Sequence, residues 1–253
     1  MNTNKDSLNN SLVKAIAIIN SFSPDKPRLR LKDISDLTGI SQSTVYRLLN
    51  TLKEFNMIEQ SEKIYSLGKV FLNYERVVLN SIEIRRICLP FLDELASATR
   101  GNANLAILDG NEVLYIARSE TSYNSFGCFN VGMRRPIYCN SLGKVLVSNK
   151  LDQIKDIFKN GVRRFTMNTI TNEEVFIEEI EKVRLQGYAT DFEEWGNGIN
   201  CIGAPLYDSS EQIVAAIGIS GPTTVFDKDT ILKHVPVLIE YANRISGRLG
   251  ATR

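Results

Sequence analysis

The chain of 253 residues is poor in the side chains from which most enzymes and metal sites are built. It has one histidine, His234, and four cysteines, Cys88, Cys128, Cys139 and Cys201, none in Cys-x-x-Cys spacing. That argues against a zinc site and makes reduced, buried thiols in a cytoplasm the expectation. No metal and no cofactor are expected. An excess of one charge is also lacking: 30 Lys and Arg against 29 Asp and Glu leave a formal net charge of +1. Any grip on nucleic acid must therefore come from a local patch. No apolar run approaches the roughly 20 residues a membrane helix needs. The opening MNTNKDSLNN has no apolar signal-peptide core, so no membrane partner is expected. Hydrophobic residues make up 43% of the chain, enough to fill real cores in one large or two ordinary domains.

What is present is concentrated first in residues 31–52, LKDISDLTGISQSTVYRLLNTL. The pattern reads as two short helices around a tight turn. Leu31, Ile34 and Leu37 face inward on the first. Gly39 suits a helix C-cap, and Ser41 suits the next N-cap. On the second helix, Val45, Leu48, Leu49 and Leu52 form one apolar stripe by their i, i+3, i+4, i+7 spacing. Gln42, Ser43, Thr44, Tyr46, Arg47 and Asn50 fall off that stripe, as donors and acceptors of the right kind for base edges and phosphates. Helix, glycine turn and polar-faced helix make a helix-turn-helix. A bland helical hairpin shares the apolar spacing.

Around this stretch, residues 11–21 form an amphipathic helix expected to turn Leu12, Ala15, Ile16 and Ile19 inward. Lys26, Arg28 and Arg30 in the following loop are candidates for phosphate contact or simple solvation. Ile58, Tyr65 and Leu67 flank the polar tip Ser61-Glu62-Lys63, a short hairpin in the position of a wing. Val70, Phe71, Tyr74, Val77, Val78 and Ile82 then share a helical face, read as a linker helix covered by a second copy of itself. Pro90 marks a kink or a new helix start.

The second domain is read from residue 84. Residues 103–118 are two strands around Asp109-Gly110, and 126–131 form a further strand. Helices are expected over 141–149, 151–159 and 172–186, and strands over 189–192, 201–207 and 213–220. One long helix over 227–248 closes the chain. Mixed rather than alternating elements indicate an α+β domain with a mainly antiparallel sheet. Ser141-Leu142-Gly143 open a helix, where free amides and the dipole favour an anion such as a carboxylate, with Gly143 allowing close approach.

Four blocks together resemble the IclR (isocitrate lyase regulator) family of bacterial transcription factors. They are ISQSTVYRLLNTL, YSLG at 65–68, LGKVL at 142–146 and DFEEWGNGINCIGAPLYD at 191–208. The resemblance covers nearly the whole chain in order. It implies a winged helix-turn-helix over 1–68, a linker or dimerisation helix over 69–83, and a GAF/PAS-like α+β effector-binding domain over 84–253. It also implies homodimers or homotetramers on double-stranded operator DNA, answering small metabolites. RRPIYCNSLGKVL and FTMNTIT are most similar to the branch that senses 2-keto-3-deoxygluconate and related sugar acids. By this resemblance Ser141, Leu142, Asp191, Ile199 and Cys201 line an effector pocket. Asp191 accepts hydrogen bonds from ligand hydroxyls, and Arg134, Arg135 and Tyr138 add charge and hydrogen bonds. Gly203 departs from the family's usual alanine.

The implied function is a DNA-binding regulator, most simply a repressor of a catabolic operon, controlled by a carboxylate or sugar-acid effector. Two other readings remain on the sequence. One is a metabolite sensor acting through protein contacts. The other is an enzyme with Cys139 or Cys201 as nucleophile and Asp191 or Glu194 as acid/base.

Overall fold

The computed structural model of the protein describes residues 8–120, 129–159 and 161–252. The chain forms two compact units, 1–81 and 82–253.

The first unit holds helices α1 (Asn10–Ile19), α2 (Leu31–Thr38), α3 (Gln42–Glu54) and α4 (Val70–Ser81), with strands β1 (Leu29–Arg30), β2 (Ile58–Ser61) and β3 (Ile64–Leu67). The strands form an antiparallel sheet in the order β1-β3-β2. Gly39 ends α2 in the left-handed region at φ 68°, the conformation that glycine adopts without steric cost. Val45, Leu49 and Leu52 of α3 are buried with Ile34, Ile18, Leu29 and Tyr65 in one core. Gly68 ties the hairpin to the turn after α3. A Cβ there would lie 1.9 Å from the Asn56 carbonyl oxygen, and its amide donates to the Met57 carbonyl at 2.8 Å.

Three inward assignments differ from the structure. Leu12 is 60% exposed and Ile16 48%, while Ile18 is fully buried. Helix α1 is apolar nearly all round, so periodicity could not single out the face that meets α2 and α3. Leu37 is half-exposed, because the short α2 rests on its neighbours through Ile34. The expected linker helix stops at Ser81 and a new helix, α5 (Glu83–Thr99), follows with Pro90 in its interior. None of the α4 side chains is buried within the chain, and Leu72, Tyr74, Val77 and Val78 are all exposed.

The second unit is built on a six-stranded antiparallel sheet. Its strands are β4 (Asn102–Asp109), β5 (Glu112–Ser119), β6 (Arg134–Pro136), β7 (Ala189–Phe192), β8 (Ile199–Tyr207) and β9 (Ile213–Pro222), in the order β6-β5-β4-β9-β8-β7. On one face α5 packs with α9 (Lys228–Leu232) and α10 (Val235–Arg248) over Leu105, Ile116, Ile202, Ile217 and Ile219. On the other lie α6 (Ser141–Leu146), α7 (Leu151–Phe158) and α8 (Glu173–Gln186), over Ala106, Tyr115, Ala189, Cys201 and Ala216. With both faces covered, the central strands read as continuous apolar runs rather than alternations.

The closing helix is two helices, not one. Pro236 stands in the first turn of α10, where its missing N–H is harmless, whereas inside a continuous helix its ring would clash with the carbonyl of Leu232. Asp227 caps α9 by accepting from the Thr230 amide at 2.7 Å. Of the strand expected over 126–131, residues 126–128 lie outside the described residues, and 129–131 are irregular. The short strands β1 and β6 have no periodic signal of their own, being two and three residues long.

Candidate functional site

Two surfaces carry functional chemistry. In the first unit, burial of the apolar stripe of α3 leaves its other side outward. Gln42, Ser43, Tyr46 and Arg47 are exposed, and Thr44 and Asn50 half-buried. The six residues therefore lie together on the open side of one helix. At its start the Ser41 hydroxyl lies 3.0 Å from the Thr44 hydroxyl and 3.3 Å from that of Ser43. These hydroxyls sit beside the free amides of the first turn, an arrangement suited to phosphate oxygens. Tyr46 is 54% exposed, so its ring does not pack under the helix. On the wing, Glu59 is ion-paired with Lys69 at 2.9 Å and Lys53 donates to Gln60 at 2.6 Å, which ties these cations to wing side chains.

In the second unit, α6 is sunk into the sheet. Asn140 caps it by accepting from the Gly143 amide at 2.7 Å. A Cβ on Gly143 would come within 2.2 Å of the Ile137 carbonyl oxygen. This glycine therefore serves the approach of the chain's own backbone, not that of a ligand. Beneath the helix, Cβ atoms on Gly203 and Gly218 would lie 3.0 Å and 2.7 Å from Leu142 Cδ2. These two cross-strand partners make the seat in which Leu142 rests.

A small cavity of ≈ 10 Å³ remains between α6 and strands β4, β5, β8 and β9. Tyr115, Phe129, Ser141, Leu142 and Cys201 line it together with Asn104, Gly218 and Ser220. Its volume is about the minimum that holds one water. Asp191 stands directly opposite the lining residue Cys201 in the β7–β8 register and is 1% exposed. Burial pushes the Asp191 carboxyl up to about 8, reinforced by the charge of Glu194 and opposed by the Glu194 amide and Lys144. At neutral pH this side chain is thus chiefly a neutral acid that can donate as well as accept. Burial likewise raises the Tyr115 phenol, with Cys201 and Asp191 adding to the effect and Arg135 opposing it.

The paired arginines of β6 part company because successive strand residues point to opposite faces. Arg135 stacks its guanidinium 3.5 Å from the Trp195 ring centroid. Arg134 is exposed and pairs with Asp109 and Glu112, away from the cavity. Tyr138 is also apart from the cavity lining: its hydroxyl donates to the Arg163 carbonyl at 2.9 Å, and its ring meets Phe158 edge-on. Ile199 is buried in the core on the cavity side of β8. Cys201 lines the cavity, while burial holds the Cys139 thiol well above its ordinary range. A thiol that stays protonated is a poor nucleophile.

The sequence reading missed Lys144. It is fully buried and donates to Glu194 at 2.6 Å, to the Thr190 carbonyl at 2.9 Å and to Glu179 at 3.2 Å. Desolvation alone would lower its pKa, but Glu194 and Glu179 outweigh it and hold the ammonium above the ordinary lysine value. The only available signal was a lysine between Gly143 and Val145 in an apolar helix, which reads as a solvated residue. Asn104 and Ser220 were missed too, because both stand inside apolar strands.

Two family models match the chain: "IclR helix-turn-helix domain" over residues 11–62, and "Bacterial transcriptional regulator IclR C-terminal" over residues 76–247. The transcriptional regulator KdgR of Escherichia coli is 31% identical over 246 residues, covering 95% of this chain and 92% of that protein. The crystal structure of Thermotoga maritima IclR superposes with a TM-score of 0.77 at 30% identity, over 95% of this chain and 99% of that one. An IclR homologue from Microbacterium hydrocarbonoxydans, crystallised with 4-hydroxybenzoate, shares the fold with a TM-score of 0.80 at 20% identity, over 95% and 99% of the two chains.

Proposed function

Because the chain belongs to the IclR family of bacterial transcriptional regulators, we propose that it is a repressor of a catabolic operon, switched by a small organic-acid or sugar-acid effector. Helix α3 enters the major groove of operator DNA. Arg47 and Gln42 read base edges there, while Ser43, Thr44, Tyr46 and Asn50 hold phosphates and sugars. Residues 1–68 form the DNA-binding domain, 69–83 the linker helix and 84–253 the effector domain. The exposed apolar residues of α4 support a homodimer, or a pair of dimers, placing two copies of α3 on one pseudo-palindrome. Among the described residues no helix is long and apolar enough to cross a membrane, in keeping with action on DNA in the cytoplasm. The chemistry is binding, not catalysis.

The observation that carries this reading is the division of α3 into a buried apolar stripe and an open polar face. The test is binding of the full-length protein to its promoter fragments across a salt series. Affinity should fall steeply as salt rises, and Arg47→Ala should weaken binding by roughly tenfold to a hundredfold, the worth of one good base contact. Full affinity in that variant would remove α3 from the interface.

The effector reading rests on the buried group of Ser141, Leu142, Ile199, Cys201 and Asp191, with Arg135 behind them. Arg134 and Tyr138 support the surrounding structure. Since the cavity is about the size of one water, any metabolite must part its walls to enter. Occupancy and a change of shape are then a single event, which is what a switch requires. Asp191→Ala should abolish the rise in melting temperature caused by a panel of sugar acids and short keto acids, leaving operator affinity intact. Retention of the rise would place the effector elsewhere.

A further inference from the structure

We infer that Asn104 is a specificity-determining residue of the effector cavity, selecting acids that carry a hydroxyl group over acids of the same skeleton without it. The inference rests on the effector reading above and names a feature of the ligand that the reading leaves open.

Asn104 stands in the middle of β4, 3% exposed, paired in register with Gly218, and it lines the cavity. Its Nδ2 donates to the Ser220 hydroxyl at 2.9 Å and to the Asn102 carbonyl at 3.3 Å. The carbonyl of Asn102 can only accept, so it fixes which end of the Asn104 amide is the nitrogen. The remaining end, Oδ1, is fully buried and has no hydrogen-bond partner among the described residues. A buried amide oxygen left unsatisfied is costly, because it has given up its water and gained nothing in exchange. A buried acceptor in that state calls for a donor, either a ligand group or an ordered water.

The missing partner must be a donor. A carboxylate, keto or ether oxygen has no hydrogen to give, and neither has an alkyl carbon. A ligand hydroxyl does. Ser220 adds a second contact, since its oxygen already accepts from Asn104 and its own hydrogen can go to the same ligand group. Asn104 thus reads a hydroxyl of the acid, while Cys201 and Ser141, which line the same cavity, meet the rest of it. Sites built to pair a hydroxyl reject the analogue lacking it far more sharply than apolar pockets reject a missing methylene.

The test uses the full-length protein and pairs of acids that differ by one hydroxyl: glycolate and acetate, lactate and propionate, 4-hydroxybenzoate and benzoate. Melting shift and release from operator DNA are both read. In the wild type at least one hydroxy acid should bind tenfold or more tightly than its partner. Asn104→Leu, close in volume but unable to accept, should reduce that preference to threefold or less while leaving operator affinity unchanged. Equal or tighter binding of every acid that lacks the hydroxyl overturns the inference, with no variant needed. So does an undiminished preference in Asn104→Leu, which would mean that an ordered water satisfies Oδ1. If no acid of the panel binds the wild type by either readout, the acid-effector reading itself fails and the inference falls with it.

Discussion

Replacing Lys144 with methionine tests whether the buried ion cluster is structural. Met keeps the length and apolar stem of lysine and deletes only the charge and its donors. In the native protein that ammonium has three partners, Glu194, Glu179 and the Thr190 carbonyl. Glu194 is 7% exposed, so its carboxylate loses its nearest countercharge and gains no water in exchange. Breaking a buried pair by removing one member costs about 3–5 kcal/mol. For a unit the size of residues 82–253, each kcal/mol lowers the midpoint by about 2–4 °C, so the expected fall is roughly 6–20 °C. The sign of the pH dependence is fixed as well. The Glu194 pKa is already raised by burial and held back chiefly by Lys144. Without the lysine it rises further, so the folded variant binds a proton that the unfolded chain releases above about pH 4.3. Destabilisation should therefore be smallest near pH 5 and grow towards pH 8. Differential scanning calorimetry of both proteins across that range reads it directly. The double change Lys144→Met with Glu194→Gln should recover part of the loss. A loss below about 1 kcal/mol, or one that grows as pH falls, would refute a structural ion cluster.

The same physics makes four further predictions. Asp191 has a folded pKa of about 8, above its unfolded value. Its contribution to stability is present at low pH and lost as pH rises to 8, so Asp191→Asn should flatten the decline of melting temperature between about pH 5 and 8. Affinity for an anionic effector should also fall above about pH 8, by up to tenfold per unit, as Asp191 ionises beside it. An isothermal titration series in which affinity rises instead would show that the acid binds elsewhere. Gly143→Ala drives a methyl into the Ile137 carbonyl at 2.2 Å and should cost about 1–3 kcal/mol or more, measured by urea unfolding. Ala at Gly39 should cost less, about 1 kcal/mol, because that site is strained only through its positive φ, with nothing within 4 Å to strike.

Legibility in the sequence followed the kind of physics involved. Residues 31–52 could be read because their signals are local: an apolar stripe at helical spacing, a glycine C-cap and a break before Ser41. The hairpin at Asp109-Gly110 was equally plain. Failures came where tertiary context decides. Helix α1 has apolar residues on every side, so only packing shows that Ile18 is the inward one. Pro236 was read through rather than as a boundary. Strand alternation separated Arg134 from Arg135 once β6 existed, yet three residues are too few to announce a strand. Lys144 and Asn104 carry no local signal, since each is polar only in a place that the fold renders dry. The resemblance pointed to Asp191 and Cys201 as pocket residues, but only the fold shows the burial that raises the Asp191 carboxyl above the usual carboxylate range.

The seat formed by Gly203 and Gly218 acts as a depth stop for α6. Leu142 settles as far as two bare α-carbons allow, and the space left above Cys201 is whatever that depth leaves over. A single methyl at position 203 would press on the Leu142 tip at 3.0 Å and on the Ser141 and Leu142 backbone at 3.2–3.3 Å, raising the floor by a few tenths of an ångström. The capacity of the cavity can therefore be retuned by changes that leave each of its polar groups in place, so that size and chemical preference are free to evolve apart.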